Sequence, residues 1–82
     1  MTTEEFKIKV KEILEDEWYI YFDNIKNETT ITMFGICHQI SLKELAALSE
    51  LTNSKNIIFE LESGYDDMNT NIIIYDFSIS DE

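Results

Sequence analysis

A chain of 82 residues has room for one hydrophobic core, so residues 1–82 are expected to fold as a single domain. Its hydrophobic share of 44% is too high for a disordered chain. Its net charge of −11, from 17 acids against six lysines and no arginine, disfavours direct nucleic-acid binding and anionic membrane surfaces, and makes a basic protein the electrostatic complement.

The first element is a helix. Thr2 and Glu5 stand at the spacing of a capping box, and Phe6, Val10, Ile13 and Leu14 then recur on one helical stripe. Lys7, Lys9, Lys11, Glu12 and Glu15 occupy the other side, which predicts a helix over 3–16, with Ile8 off the stripe. The period changes to two in Trp18–Phe22 and again in Thr29–Met33, the pattern of two strands. A two-residue turn at Lys26-Asn27 sets Phe22 opposite Ile31 and Ile20 opposite Met33 on one face. It sets Tyr21 opposite Thr32, Tyr19 opposite Phe34 and Asp23 opposite Thr30 on the other. A one-residue slip mixes polar with apolar on both faces.

Ser41 and Glu44 form a second capping box, with Ile40 placed to staple onto Leu45. Leu42, Leu45, Leu48 and Leu51 continue the stripe to Asn53, a residue suited to a left-handed cap, giving a helix over 42–53. The last hairpin has Ile57, Phe59 and Leu61 facing inward and Ile58, Glu60 and Glu62 outward. A polar loop over 63–70 follows. In its partner strand Ile73, Tyr75, Phe77 and Ile79 are read as the inner row, and Ile72, Ile74, Asp76 and Ser78 as the outer.

The order α-β-β-α-β-β predicts an α+β fold, a two-layer sandwich of an antiparallel four-stranded sheet with two helices on one face. Spacing leaves the strand order open. The free face is expected to carry Tyr19, Tyr21, Asp23, Phe34, Ile58, Glu60, Glu62, Ile72, Ile74 and Asp76.

No motif for chemistry survives scrutiny, and the chain is read as non-enzymatic, with no cofactor and no metal. Cys37 and His38 are neighbours that point to opposite faces of an extended segment, so the reading is a packed thiol beside a surface imidazole. Asp67, Asn69 and Asn71 match the opening of a calcium loop, but Ile72 stands where its glycine belongs and Ser78 where its last acid belongs. Gly35 and Gly64 are too far apart for a phosphate-cradling loop. The strand WYIYF suits base stacking, yet no Lys accompanies its rings. A single cysteine and the lack of any apolar run near ~18 residues point to the cytoplasm.

What stands out is charge placement. Residues 56–82 hold seven acids (Glu60, Glu62, Asp66, Asp67, Asp76, Asp81 and Glu82) and not one lysine. Acids at alternate strand positions repeat every ~6.6–6.8 Å, about half the linear charge density of a DNA strand with its phosphate every ~3.4 Å. The expected partner-binding set is Tyr19, Tyr21, Glu60, Glu62, Tyr65, Asp66, Asp67, Asp76 and Asp81. Together they would block a basic nucleic-acid-binding site on another protein as a partial mimic, tyrosines anchoring the contact. A simply solvated acidic face is the bland alternative; a homodimer through Phe34, Ile58, Ile72 and Ile74 is the other.

In size, acidity and its Lys/Asn/Ile-rich, Arg-free composition the chain resembles the small acidic inhibitors that bacteriophages direct against host nucleases, notably the anti-CRISPR proteins. That resemblance is one of overall character and transfers no residue role. It implies a protein acting in the host bacterial cytoplasm against a nuclease or CRISPR effector. Immunity proteins that neutralise nuclease toxins share the same features.

Overall fold

The structure, a computed structural model, describes residues 1–15, 18–33, 40–63 and 68–80. Two helices, α1 (Thr3–Ile13) and α2 (Leu42–Thr52), alternate with two hairpins, β1 (Trp18–Asp23) with β2 (Glu28–Met33), and β3 (Ile57–Ser63) with β4 (Met68–Tyr75). All strand pairs are antiparallel, and the α+β class and element order are those expected. Both capping boxes form: Thr2 and Ser41 accept from the amides of Glu5 and Glu44, whose carboxylates accept from the two cap amides in return. Asn53 closes α2 in the left-handed conformation, φ 55°.

α1 ends three residues before the expected position 16, because Leu14 leaves the helix (φ −112°, ψ 114°) to drop its side chain into the core. The Leu14 carbonyl is taken by the Trp18 indole N–H at 3.2 Å, which turns the chain into β1. Leu42 is 85% exposed and not part of the α2 stripe. As the first helical residue it lies before the turns that meet the sheet. Leu48 is the α2 residue that is fully buried.

The sheet order is β1-β2-β4-β3. The second hairpin docks through its second strand, so β3 becomes an edge. Phe6, Val10, Leu14 and Leu48 pack on Ile31, Met33, Ile72 and Ile74, all almost fully buried. Phe6 meets Phe22 and Phe77 at ring-centroid distances of 5.7 and 5.1 Å.

Two expectations about the hairpins are corrected. Trp18 pairs with Met33, Ile20 with Ile31 and Phe22 with Thr29, a register two residues away from the expected one. The turn is Asn24–Asn27, not Lys26-Asn27. The Asp23 carboxylate holds it by accepting from the amides of Ile25 and Lys26 (both 3.1 Å), and Asn27 takes φ 55°. An even shift keeps every side chain on its face, so Tyr19, Tyr21 and Asp23 still point away from the helices.

The second correction reverses β4. Met68–Thr70, expected in the loop, already belong to the strand, and Thr70, Ile72 and Ile74 face the helices. Asn71, Ile73 and Tyr75 face outward. The reason is Asp76: its left-handed backbone (φ 58°) breaks the period-two count, so Phe77 and Ile79 point inward although Ile74 does as well. Beyond it the chain is tied beneath the first hairpin. The Phe77 amide donates to the Asn27 carbonyl (3.0 Å), and the Thr29 hydroxyl donates to the Phe77 carbonyl (2.8 Å). The Thr70 hydroxyl, fully buried between Met33 and Leu61, has no hydrogen-bond partner among the described residues.

Candidate functional site: the open face of the sheet

The face turned away from the helices is built in rows set by the strand register. Tyr19, Thr32, Asn71 and Glu60 form one row, and Tyr21, Thr30, Ile73 and Ile58 the next. Asp23, Glu28 and Tyr75 form a third. The four strands contain no Lys or Arg, and their four acids (Asp23, Glu28, Glu60 and Glu62) all lie on this face. Strand alternation produces that one-sidedness: in β3 it sends Ile57, Phe59 and Leu61 one way and Ile58, Glu60 and Glu62 the other.

A polar network crosses the centre. The Thr32 hydroxyl donates to the Asn71 side-chain carbonyl at 2.8 Å. The Asn71 amide then donates to Glu62 Oε2 at 2.8 Å and to Glu60 Oε1 at 3.5 Å. Asn71 is only 5% exposed, and these contacts use both its carbonyl and its amide hydrogens. One amide thus gathers two carboxylates that would otherwise splay apart, ~6.6–6.8 Å being the spacing of alternate strand residues. Charge-assisted bonds of this kind restrict rotamers, so the two carboxylates are held near one another on this face.

Of the expected binding residues, the fold brings Tyr19, Tyr21, Glu60 and Glu62 onto this one face. Both tyrosines are more than half exposed. They sit on β1, three strand spacings from β3, which is about 14 Å. Asp76 does not join them. It occupies the turn after β4, five residues beyond Asn71 or roughly 16 Å along the strand, at the end where Asp23 and Glu28 lie. Tyr65, Asp66, Asp67 and Asp81 lie outside the described residues, as do Phe34, Cys37 and His38.

Ile72 and Ile74 are fully buried in the core, which removes two members of the expected homodimer patch. Ile73, half-buried, takes their place beside Ile58. Asn69 and Asn71 of the calcium-like pattern belong to β4, and Asn71 is engaged by Glu60, Glu62 and Thr32. Among the described residues no group of three His, Cys, Asp or Glu side chains is placed to hold a metal, and no helix is long and apolar enough to cross a membrane. A groove between the helices is lined by Glu12, Ile13, Lys43, Glu44 and Ala47, with no thiol, hydroxyl side chain or imidazole among these described residues.

Asn71 and Thr32 were not anticipated as site residues. The available signal is Asn71 directly before Ile72-Ile73-Ile74, since Asn is depleted in strands unless its amide is used. No protein-family model matches this chain, nor does any curated protein or solved structure.

Proposed function

We propose that this protein is a non-enzymatic inhibitor whose open sheet face occupies a basic, nucleic-acid-binding site on another protein, a nuclease or CRISPR effector. The observation that carries the reading is the segregation of charge. Every acid of the sheet is on the face without helices, no strand contributes a lysine, and Asn71 gathers Glu60 and Glu62 into one anionic patch. A cationic groove that normally accepts phosphates offers the complementary potential. Tyr19 and Tyr21 give the same face aromatic contact area at low entropic cost. Glu60, Glu62, Tyr19 and Tyr21 make the contact, with Asp76 at the far end of the face.

The test is affinity capture from a bacterial lysate, followed by competition between this protein and a short DNA duplex for the captured partner. Binding should weaken about tenfold or more as salt rises from about 50 to about 500 mM, because exposed charges are screened over less than ~10 Å. Glu60→Lys with Glu62→Lys should abolish competition while the circular dichroism spectrum is kept. Competition that survives this double change would refute the mimicry. A nuclease toxin as the captured partner would assign the same surface to an immunity role.

A further inference from the structure

The edge strand β3 is unusual in being apolar on the side where the sheet should be covered. Phe59 and Leu61 face the helical layer by register, yet they are 41% and 50% exposed, because the core beneath the helices reaches β3 at Ile57 and does not extend along the strand to them. On the opposite face Ile58 is 43% exposed, beside the gathered carboxylates of Glu60 and Glu62. The backbone is equally open. The Tyr75 amide donates to the Asn56 carbonyl at 3.0 Å. By the alternation of an antiparallel ladder, Ile58, Glu60 and Glu62 are then the residues bonded to β4. The amides and carbonyls of Phe59 and Leu61 therefore point off the sheet, where no strand among the described residues meets them. Seven residues without Pro, Gly or Lys form this edge, and its charges are Glu60 and Glu62, which repel an acidic strand and attract a basic one.

We propose that β3 is a docking edge for an extended segment of the basic partner, in which Lys or Arg alternates with aliphatic residues and which adds to the sheet as a fifth strand. This rests on the inhibitor reading above and specifies how contact is made. Residues of an added strand alternate between the two faces. Its basic side chains meet Glu60 and Glu62, while its aliphatic ones cover Phe59 and Leu61 and complete the layer that the helices leave short. Charge complementarity selects this occupant over a second copy. A two-fold axis relating two antiparallel β3 strands keeps their faces matched, so it would bring both pairs of Glu60 and Glu62 together on one side, like charges opposite like.

Two synthetic seven-residue peptides of identical composition test this, one alternating Lys and Val, the other with its Lys and Val in blocks. Amide hydrogen exchange of Phe59 and Leu61, followed by NMR on the intact protein, is the readout. The alternating peptide should slow both amides about tenfold at ten times its Kd, since exchange through the free form falls as 1 + [L]/Kd. The block peptide should leave them unchanged, and N-methylation of the alternating peptide should abolish the effect. Salt-sensitive binding of both peptides, lost in Glu60→Lys with Glu62→Lys but without protection of Phe59 and Leu61, would overturn strand addition and leave the acidic-face reading standing. Absence of binding by either peptide would count against both. Protection that rises with protein concentration and no peptide would give the edge to a second copy and overturn the proposal.

Discussion

Replacing Ile72 and Ile73 separately by alanine tests the facing of β4, and with it the exposure of the acidic pair. Ile72 is fully buried against the helices, whereas Ile73, next in the chain, is half-buried on the open face. Ile→Ala removes three carbons, worth about 2.4 kcal/mol at ~0.8 kcal/mol per buried methylene. A fully enclosed site adds a cavity term, so Ile72→Ala should cost roughly 3–4 kcal/mol. Ile73→Ala loses about half of the transfer term and leaves no enclosed void, so roughly 1 kcal/mol is expected. At ~4–8 °C per kcal/mol for a domain of this size, the midpoints should fall by about 12–30 °C for Ile72→Ala and by under ~10 °C for Ile73→Ala. Thermal and urea unfolding followed by circular dichroism measure both. Equal costs, or a larger one at Ile73, would refute the reasoning. Register links Ile73 to Ile58, and Asn71 to Glu60, so turning β4 over would carry the carboxylates under the helices.

Three further changes probe particular features. Thr70→Val should leave stability unchanged or raise it by about 1 kcal/mol, because a buried hydroxyl without a partner costs more than a methyl in its place; a loss in urea unfolding would show that the hydroxyl is used. Asp76→Gly should change stability by only a few tenths of a kcal/mol, whereas Asp76→Val should cost about 1–2 kcal/mol, since a β-branched residue resists φ 58°. Equal effects in urea melts would contradict a conformational role. Glu60→Gln with Glu62→Gln removes the like-charge repulsion between two β3 edges, so sedimentation should find more dimer than for the unaltered protein; a double variant with the same sedimentation as the unaltered protein up to about 1 mM would show that this repulsion does not govern pairing of the edge.

Both helix starts could be read directly, because a capping box is a local signal; the end of α1 could not, because packing of Leu14 into the core cuts the helical stripe short. The first hairpin shows a blind spot of pattern matching. A register slip of two residues preserves every facing, so Tyr19 and Tyr21 were placed correctly from a turn placed incorrectly. In β4 the three consecutive isoleucines offer no contrast among themselves to choose between two phases. A period-two row through Ile73, Tyr75, Phe77 and Ile79 runs across Asp76, and that single left-handed residue inverts the phase. Strand order carried the edge status of β3, and nothing local encodes it. The acidic pair was legible as alternation, but its link to Asn71 depends on register between strands, which the chain does not spell out.

β4 is the last of the four strands in the chain, yet it lies between β2 and β3, and Phe77 and Ser78 are bonded back to Asn27 and Thr29. During synthesis, therefore, β2 and β3 wait for the strand that joins them. Earlier segments have only a two-stranded ribbon and loose helices to form, and such a ribbon is marginal alone. Assembly should be a single late event, in which residues some forty positions apart meet at once and no half of the protein survives without the other.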